Sequence, residues 1–376
     1  MKKKVLMTAS VYAHIRNFHL PYLKEFQRLE WETHVGCRGI GQNAPYVDKA
    51  IELSFEKKML EPANLRATRM LRRQIRSESY DLIITHTSLA AFFTRLAVKG
   101  MKERPALINV VHGYLFDEDT PLVKRWILMA AEFLMIRETD LLIVMNEWDW
   151  QAAGKYRFGR RIERIPGMGV DYSRLDSAGA EDGLLLRKRL GIPEDAFVLI
   201  YPAEFSKRKS QHVLIEAMQY LPENVWLVLC GEGDCFSACR ALAKKLRVEQ
   251  HILFPGQVRD IAPWYRMADA LAASSRSEGL PFNAMEAMHL GLPVIASAVK
   301  GHEDLVSDGI NGFLYPYGDA RTCAERVRML LSDTALYRKF SARAVESSSC
   351  YALQDVLPKV MELFESAQYK KGEPDD

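Results

Sequence analysis

Ser274–Gly291 reads SSRSEGLPFNAMEAMHLG, with Glu278 and Glu286 bracketing seven residues. Gly279-Leu280-Pro281 reads as a turn, and Phe282 to Leu290, rich in Met and Ala, reads as a helix. Pro281 suits the first helical position, where a missing N–H costs nothing. The N–H groups of that first turn carry the positive end of the helix dipole, which suits a phosphate. Carboxylates beside a diphosphate would repel it, so Glu278 and Glu286 are read as acceptors for sugar hydroxyls next to it. A plain loop–helix junction with one capping and one solvated Glu gives the same spacing. The rest of the chain has to decide.

The neighbouring residues place this stretch on a sheet edge. Ala270–Ala273 is strand-like and feeds it, and Pro293–Ala296 follows as another strand. Upstream, Val198–Pro202 reads as a strand leading into EFSKRKSQ, so Lys207, Arg208 and Lys209 stand before a helix from His212. Cations beside a helix start suit a diphosphate, although a solvated turn has the same composition. Val225–Leu229 runs into the tight turn Cys230-Gly231-Glu232-Gly233-Asp234, and Ile252–Phe254 into Gly256-Gln257-Val258. Ile261–Met267, Asp319–Leu331 and Asp355–Gln368 read as helices, and Asn311–Tyr315 as a strand.

The first half repeats the alternation. Strands are expected at Lys4–Thr8, Trp31–Gly36, Asp81–Thr85, Ala106–Val111, Asp140–Met145 and Ile162–Ile165. A loop over Ala9–Asn17 carries Tyr12, His14, Arg16 and Asn17, and helices are expected at Phe18–Leu29 and Ser88–Lys99. His86 and His112 stand at the carboxyl ends of their strands, where doubly wound sheets bind ligands. Each also fits a structural role. Lys57–Arg76 is a basic stretch whose helix starts near Pro62; it suits a solvated surface or one drawn to anionic lipid. Trp126–Ile136, apolar apart from Glu132, is expected as a core helix, with a lipid-facing surface as the alternative. At eleven residues it is too short to span a bilayer.

Two strand–helix series predict an α/β protein with two doubly wound domains. The expected boundaries are 1–170, a hinge over 171–191 around SAGAEDG, and 192–354, with a C-terminal helix 355–370 packing back on the first domain. At 376 residues the chain has room for two cores. The tail KKGEPDD reads as disordered. No GxGxxG fingerprint follows the first strand, so a tightly held dinucleotide is not indicated. Six scattered cysteines and a poor signal peptide point to free thiols in the cytoplasm. The first 170 residues hold 27 Lys and Arg against 19 Asp and Glu, so that half is the one to meet an anionic partner such as a membrane face. Nucleic acid is not expected as a partner.

The ordered set of motifs resembles glycosyltransferase family 4, the retaining glycosyltransferases of the GT-B fold. It comprises Val111-His112-Gly113, Pro166-Gly167-Met168-Gly169-Val170-Asp171, Lys209 before LIEAM, Gly231-Glu232-Gly233, Glu278…Glu286 within EGLPFNAMEAMHLGLPVIAS, Gly301, and Asn311-Gly312-Phe313-Leu314. YDLIITHTSLAAFFTRLA is similar to exopolysaccharide and capsule transferases. The resemblance implies two Rossmann-like domains facing across a cleft and transfer from a nucleotide sugar, a UDP-sugar first among them. The implied acceptor is a saccharide or lipid-linked saccharide, reached from the cytoplasm at the membrane's inner face. It gives His112, Glu278 and Lys209 catalytic places. Lys207, Arg208, Val258, Gly279, Leu280, Pro281, Phe282 and Glu286 would bind the donor, with Glu286 on the ribose hydroxyls. Tyr12, His14, Arg16 and His86 fall on the acceptor side. It implies no metal and no cofactor beyond the co-substrate. Glu204 stands where the family often has Arg, and Glu303 replaces an Arg common in related enzymes. Those departures keep open a non-catalytic nucleotide-sugar-binding subunit, and a GT-B epimerase is a third reading.

Overall fold

A computed structural model describes residues 2–367, apart from 42 and 57. Lys57, Gln368 and the tail KKGEPDD therefore lie outside the described residues. The chain divides into two compact units, one running to Met168 and joined by the segment from Asp355, the other spanning Gly169–Gln354.

The first unit is built on a seven-stranded sheet. Its strands are β1 (Lys4–Val11), β2 (Glu32–Arg38), β3 (Lys49–Glu52), β4 (Leu82–His86), β5 (Ala106–Val110), β6 (Leu141–Val144) and β7 (Ile162–Arg164). The order is β3-β2-β1-β4-β5-β6-β7, and every pairing is parallel. β4 and β5 are buried along their whole length, as strands covered on both faces must be. The helices are α1 (Tyr12–Phe18), α2 (Leu20–Arg28), α3 (Pro62–Glu78), α4 (Ser88–Val98), α5 (Leu122–Phe133) and α6 (Glu147–Tyr156). Leu71 and Ile75 of α3 and Phe93 and Ala97 of α4 share one core with Leu6, Ile83 and Leu107 of the strands.

The second unit repeats the design with six strands, β8 (Phe197–Ile200), β9 (Val225–Cys230), β10 (Ile252–Gly256), β11 (Ala270–Ala273), β12 (Val294–Ser297) and β13 (Gly312–Tyr315). The order is β10-β9-β8-β11-β12-β13, again parallel throughout. Its helices are α7 (Ser173–Asp176), α8 (Ala180–Leu190), α9 (Gln211–Ala217), α10 (Phe236–Leu246), α11 (Ala262–Arg266), α12 (Phe282–His289), α13 (Ala320–Ser332) and α14 (Thr334–Ser348). α15 (Leu353–Ser366) ends the described chain and packs Phe364 against Tyr22 and Phe26 of the first unit. In both sheets the chain starts in the middle and reverses direction, between β1 and β4 in one and between β8 and β11 in the other. Ligands collect at such switch points, outside the carboxyl ends of the strands.

Several local expectations need correction. The loop expected over Ala9–Asn17 is the end of β1 followed by α1, because Val11 pairs with Arg38 after a register shift. The stretch expected as a hinge is mostly helical. Asp182 Oδ2 accepts the Gly179 N–H at 2.8 Å, which starts α8, and Arg187 of α8 bonds Asp269 at 2.7 Å. A composition that resembles a linker is here a capped helix start. Pro281 precedes its helix instead of opening it: its backbone is extended, and its carbonyl accepts from the N–H groups of Ala284 and Met285.

α5 is not a core helix. Trp126 is 64% exposed and Ile127 59%, with Leu122, Val123 and Phe133 also on the surface, while Met129 alone within the helix is buried. Glu132 is the reason. It turns inward and takes both terminal nitrogens of Arg95, a fully buried residue of α4, at 2.7 and 3.0 Å. The charged side of this helix is therefore the packed one. Removing Glu132 would leave a guanidinium buried without its counter-charge. Glu132→Ala is expected to cost about 3–5 kcal/mol in urea unfolding. An Arg95→Met, Glu132→Met pair should recover most of that loss.

Candidate functional site

In the second unit, the loops after β8 and β11 meet at the switch point. Hydrogen bonds to backbone carbonyls tie them together: the Arg276 N–H donates to Arg208 O at 2.8 Å, and the Ser274 hydroxyl to Lys209 O and Ser210 O at 3.0 and 2.9 Å. Within this frame Glu278 is buried. One of its oxygens accepts from Lys209 Nζ and from the Ser275 hydroxyl, and the other accepts from Arg208 Nη1 at 2.7 Å. Burial alone would raise the Glu278 carboxyl, but the Lys209 and Arg208 charges outweigh it and hold the group well below the usual carboxylate range. The site is thus an ionised carboxylate with two cations around it, one positive charge in excess. A carboxylate has about four lone-pair sites, so room for a further donor remains.

α12 starts beside this cluster. Asn283 Nδ2 donates to Pro202 O at 2.9 Å, pinning the helix start to the β8 loop. Leu280 and Pro281 are buried, and Phe282 is half-buried. Glu286, one turn inside, accepts from Tyr265 OH at 2.8 Å. Burial pushes its carboxyl up to about 7, against the Tyr265 hydrogen bond and the Arg174 charge. The two carboxylates of the motif are thereby separated chemically, one firmly ionised and the other poised near neutrality.

Glycine geometry closes the site. Gly301 follows β12 at φ +83°, and a Cβ there would lie 2.7 Å from Gly279 O and 2.8 Å from Glu278 Cβ. A Cβ on Gly231 would lie 2.2 Å from Ala203 O, and one on Gly233 2.4 Å from Phe205 O. The Gly231-Glu232-Gly233 turn therefore sits directly against the β8 loop, and the Phe205 N–H donates to Glu232 O at 2.8 Å. Lys207 and Glu204 are exposed, and Val258 is half-exposed on the loop after β10.

In the first unit the switch point gathers imidazoles instead of charges. His14 lies on α1, His86 ends β4 and His112 follows β5, and the sequence reading picked out all three. His19, at the break between α1 and α2, was not among them, though its place five residues after His14 at a sheet edge was a usable signal. His112 Nε2 stands 3.4 Å from His14 Nε2 and 3.2 Å from His86 Nδ1. His19 stacks on His86 with ring centroids 3.7 Å apart. Burial holds all four below the usual imidazole range, His14 at about 4. Beside them Thr87 adopts φ +62°, a strained choice for a β-branched residue, while its hydroxyl accepts the Ser10 N–H at 3.0 Å. Tyr12 is half-buried, and Arg16 is exposed.

Known proteins match most of the chain. The profile described as Glycosyltransferase Family 4 matches residues 22–174, and that described as Glycosyl transferases group 1 matches 184–347. EpsD of Bacillus subtilis (strain 168), provisionally assigned as a glycosyltransferase, is 36% identical over 345 residues, covering 90% of each chain. An Escherichia coli protein named UDP-Gal:alpha-D-GlcNAc-diphosphoundecaprenol alpha-1,3-galactosyltransferase is 25% identical, covering 79% of this chain and 80% of its own. The crystal structure of Anabaena Alr3699/HepE in complex with UDP and glucose superposes with a TM-score of 0.80 at 21% identity, over 97% of this chain and 100% of that one.

The contact at Gly231 gives a direct test of the frame. Gly231→Ala forces a Cβ into the Ala203 carbonyl and is expected to lower stability by about 2 kcal/mol or more. Thermal unfolding measures the loss. Gly309→Ala, at a positive φ with open space around it, serves as the comparison and should cost less.

Proposed function

The chain belongs to glycosyltransferase family 4 of the GT-B fold, and from that premise we propose that it moves a sugar from a UDP-sugar to a saccharide or lipid-linked saccharide in polysaccharide assembly. The observation that carries the proposal is the Lys209–Glu278–Arg208 cluster at the β8/β11 switch point, beside the start of α12. Its excess positive charge and the helix dipole suit a diphosphate. The named substrates of the E. coli relative, and the UDP and glucose of the Anabaena structure, support the UDP-sugar and the lipid-linked acceptor.

In this reading Lys209 and Arg208 take the diphosphate oxygens as they gain charge, the role a metal plays elsewhere. The bond from the sugar's anomeric carbon to the diphosphate breaks while the acceptor oxygen bonds that carbon on the same face. The acceptor's proton passes to the departing diphosphate oxygen, and the configuration is retained. Glu278 keeps one lone pair for a donor-sugar hydroxyl, and Glu286 accepts from the ribose. Glu204 replaces a familiar Arg, yet Arg208 puts a guanidinium on Glu278, so the charge is supplied from a neighbouring position. That favours an active transferase over a binding subunit. His112 is the first unit's candidate for lining the transferred sugar.

The apolar face of α5 suits the acceptor's membrane. Trp126, Ile127, Val123 and Phe133 are exposed together, with Lys124 beside them. The outward Arg66, Arg69, Arg73 and Arg76 of α3 add positive charge on the same unit. No helix among the described residues is long and apolar enough to cross a membrane. Contact at the lipid surface is the mode this pattern supports.

Turnover of UDP-sugars with lipid-linked acceptor tests the reaction. Lys209→Ala is expected to lower it roughly 100-fold or more in chain that circular dichroism shows to be folded, and no turnover with any common UDP-sugar would overturn the reading. UDP affinity has a pH signature. Ribose hydroxyls donate to ionised Glu286, whose carboxyl stands at about 7. Affinity should therefore rise with pH up to that value, by about tenfold per unit below it, and flatten above. Calorimetry from pH 5.5 to 8 should show a steeper slope in the native chain than in Glu286→Gln, where only the terminal phosphate of UDP titrates. Sedimentation with vesicles containing anionic phospholipid should show binding that Ile127→Asp weakens about tenfold or more.

A further inference from the structure

His14, His19, His86 and His112 form a cluster that the transfer chemistry does not use as a set. One ring nitrogen from each lies within 4.8 Å of the others. They arrive from three adjacent points on one sheet edge, the β1–α1–α2 segment, the end of β4 and the end of β5. The parallel order of β1, β4 and β5 fixes that convergence.

Hydrogen bonding among the rings does not satisfy them. His112 Nε2 has one lone pair in one tautomer and one N–H in the other, so it can bond either His14 or His86 but not satisfy both. That leaves His86 Nε2 and both nitrogens of His19 buried without a partner. A neutral imidazole carries an N–H on one nitrogen in either tautomer, so His19 has an unpaired donor whichever form it takes. His19 and His86 are fully buried. Groups buried this way normally have a partner.

We propose that these four imidazoles bind one divalent transition-metal ion, with zinc as the ion that suits them best. In a tetrahedral zinc site, bonds of about 2.0–2.1 Å put ligand nitrogens about 3.3–3.4 Å apart. The His14–His112 and His86–His112 nitrogen separations are 3.4 and 3.2 Å. Five of the six ring pairs have centroids 4.6–6.0 Å apart, which suits rings radiating from one centre. The sixth, the His19–His86 stack at 3.7 Å, must open for His19 to take the fourth position. An all-imidazole set favours zinc, copper or nickel over magnesium or calcium, which prefer oxygen. The second acid–base cluster of this unit, Glu32, His34 and Glu78, makes a poorer site, because Lys4 and Lys49 already bond Glu78. Bound at the β1/β4 switch point, the ion would clamp α1 to the ends of β4 and β5.

The test uses the full untagged chain, stripped with a chelator and titrated with Zn²⁺ against a chromophoric competitor. One equivalent should bind with a Kd below about 1 µM, and Co²⁺ in its place should give the intense visible bands of four-coordinate nitrogen ligation. His14→Gln and His19→Gln should each weaken binding by about 100-fold. Glu286→Gln, in the other unit, should keep full occupancy, so loss of donor binding and loss of the metal are read separately. Circular dichroism checks that each variant is folded. Less than about one tenth of an equivalent bound by the folded native chain at 10 µM Zn²⁺ overturns the proposal and leaves internal water as the partner of these rings. Binding unchanged in both His variants overturns it as well, and its loss in Glu32→Gln, Glu78→Gln would then assign the ion to that cluster.

Discussion

A buried carboxylate between two cations organises the second unit. Taking Glu278 out of water is costly, and the cost is recovered only while Lys209, Arg208 and Ser275 stay in place. This couples two loops that are about 70 residues apart in sequence and adjacent only because β8 and β11 pair in the sheet. Gly231, Gly233 and Gly301 allow the approach, since a side chain at any of them would occupy backbone or carboxylate space. The arrangement also stores the means of binding. An anion arriving beside Lys209 and Arg208 competes with Glu278 for their hydrogens, so cations already held in place need little further ordering to receive it.

The first unit applies the same topology to different chemistry. Its switch point lies between β1 and β4, as the second unit's lies between β8 and β11, and both collect side chains at the strands' carboxyl ends. Yet one edge holds an ion cluster and the other neutral imidazoles. Burial drives the difference. An imidazole can shed its charge when water is removed, and these four do, whereas Glu278 keeps its charge because counter-ions are within hydrogen-bond reach. A fold that offers the same edge twice can therefore place ionic recognition on one side and neutral donor–acceptor or metal chemistry on the other.

Much of this was legible in the sequence because strands buried on both faces read as short apolar runs. LIITH, ALINV and ALAA are such runs, and each ends where a polar or glycine-rich segment begins. The motif around Glu278 and Glu286 was legible for the same reason: a strand feeds it and a helix follows. The pairing of Glu278 with Lys209 and Arg208 was not, because the partners are distant in sequence and a carboxylate ahead of a turn reads as solvated. The separation of the two carboxylates, one ionised and one raised to about 7, depends on burial that residue spacing does not encode. α10 and α14 went unread: α10 starts after Cys235 with no side-chain cap, whereas α14 has an Asp333 cap on the Leu336 N–H that was a usable signal. His19 was passed over because it lies in a helical pattern, where a histidine reads as one more half-apolar residue.

α5 shows a limit of periodicity that charge resolves. An apolar stripe on a helix signals that one face is covered, but the period is the same whether protein or lipid covers it. The position of the single acid shows which face the rest of the unit covers. In a core helix of a globular domain, an isolated Glu would point to water. Here Glu132 points inward to Arg95, with both nitrogens of the fully buried guanidinium engaged. Docked through this acid and Met129, the helix turns Val123, Trp126, Ile127 and Phe133 outward, with Leu122 at its start. Exposing four large apolar side chains in a row carries a hydration cost that a second covering surface would remove. Lys124 at the edge of the stripe and the arginines of α3 supply the charge that an anionic lipid surface attracts. The buried ion pair thus fixes which side of the helix is in, and so which side is out.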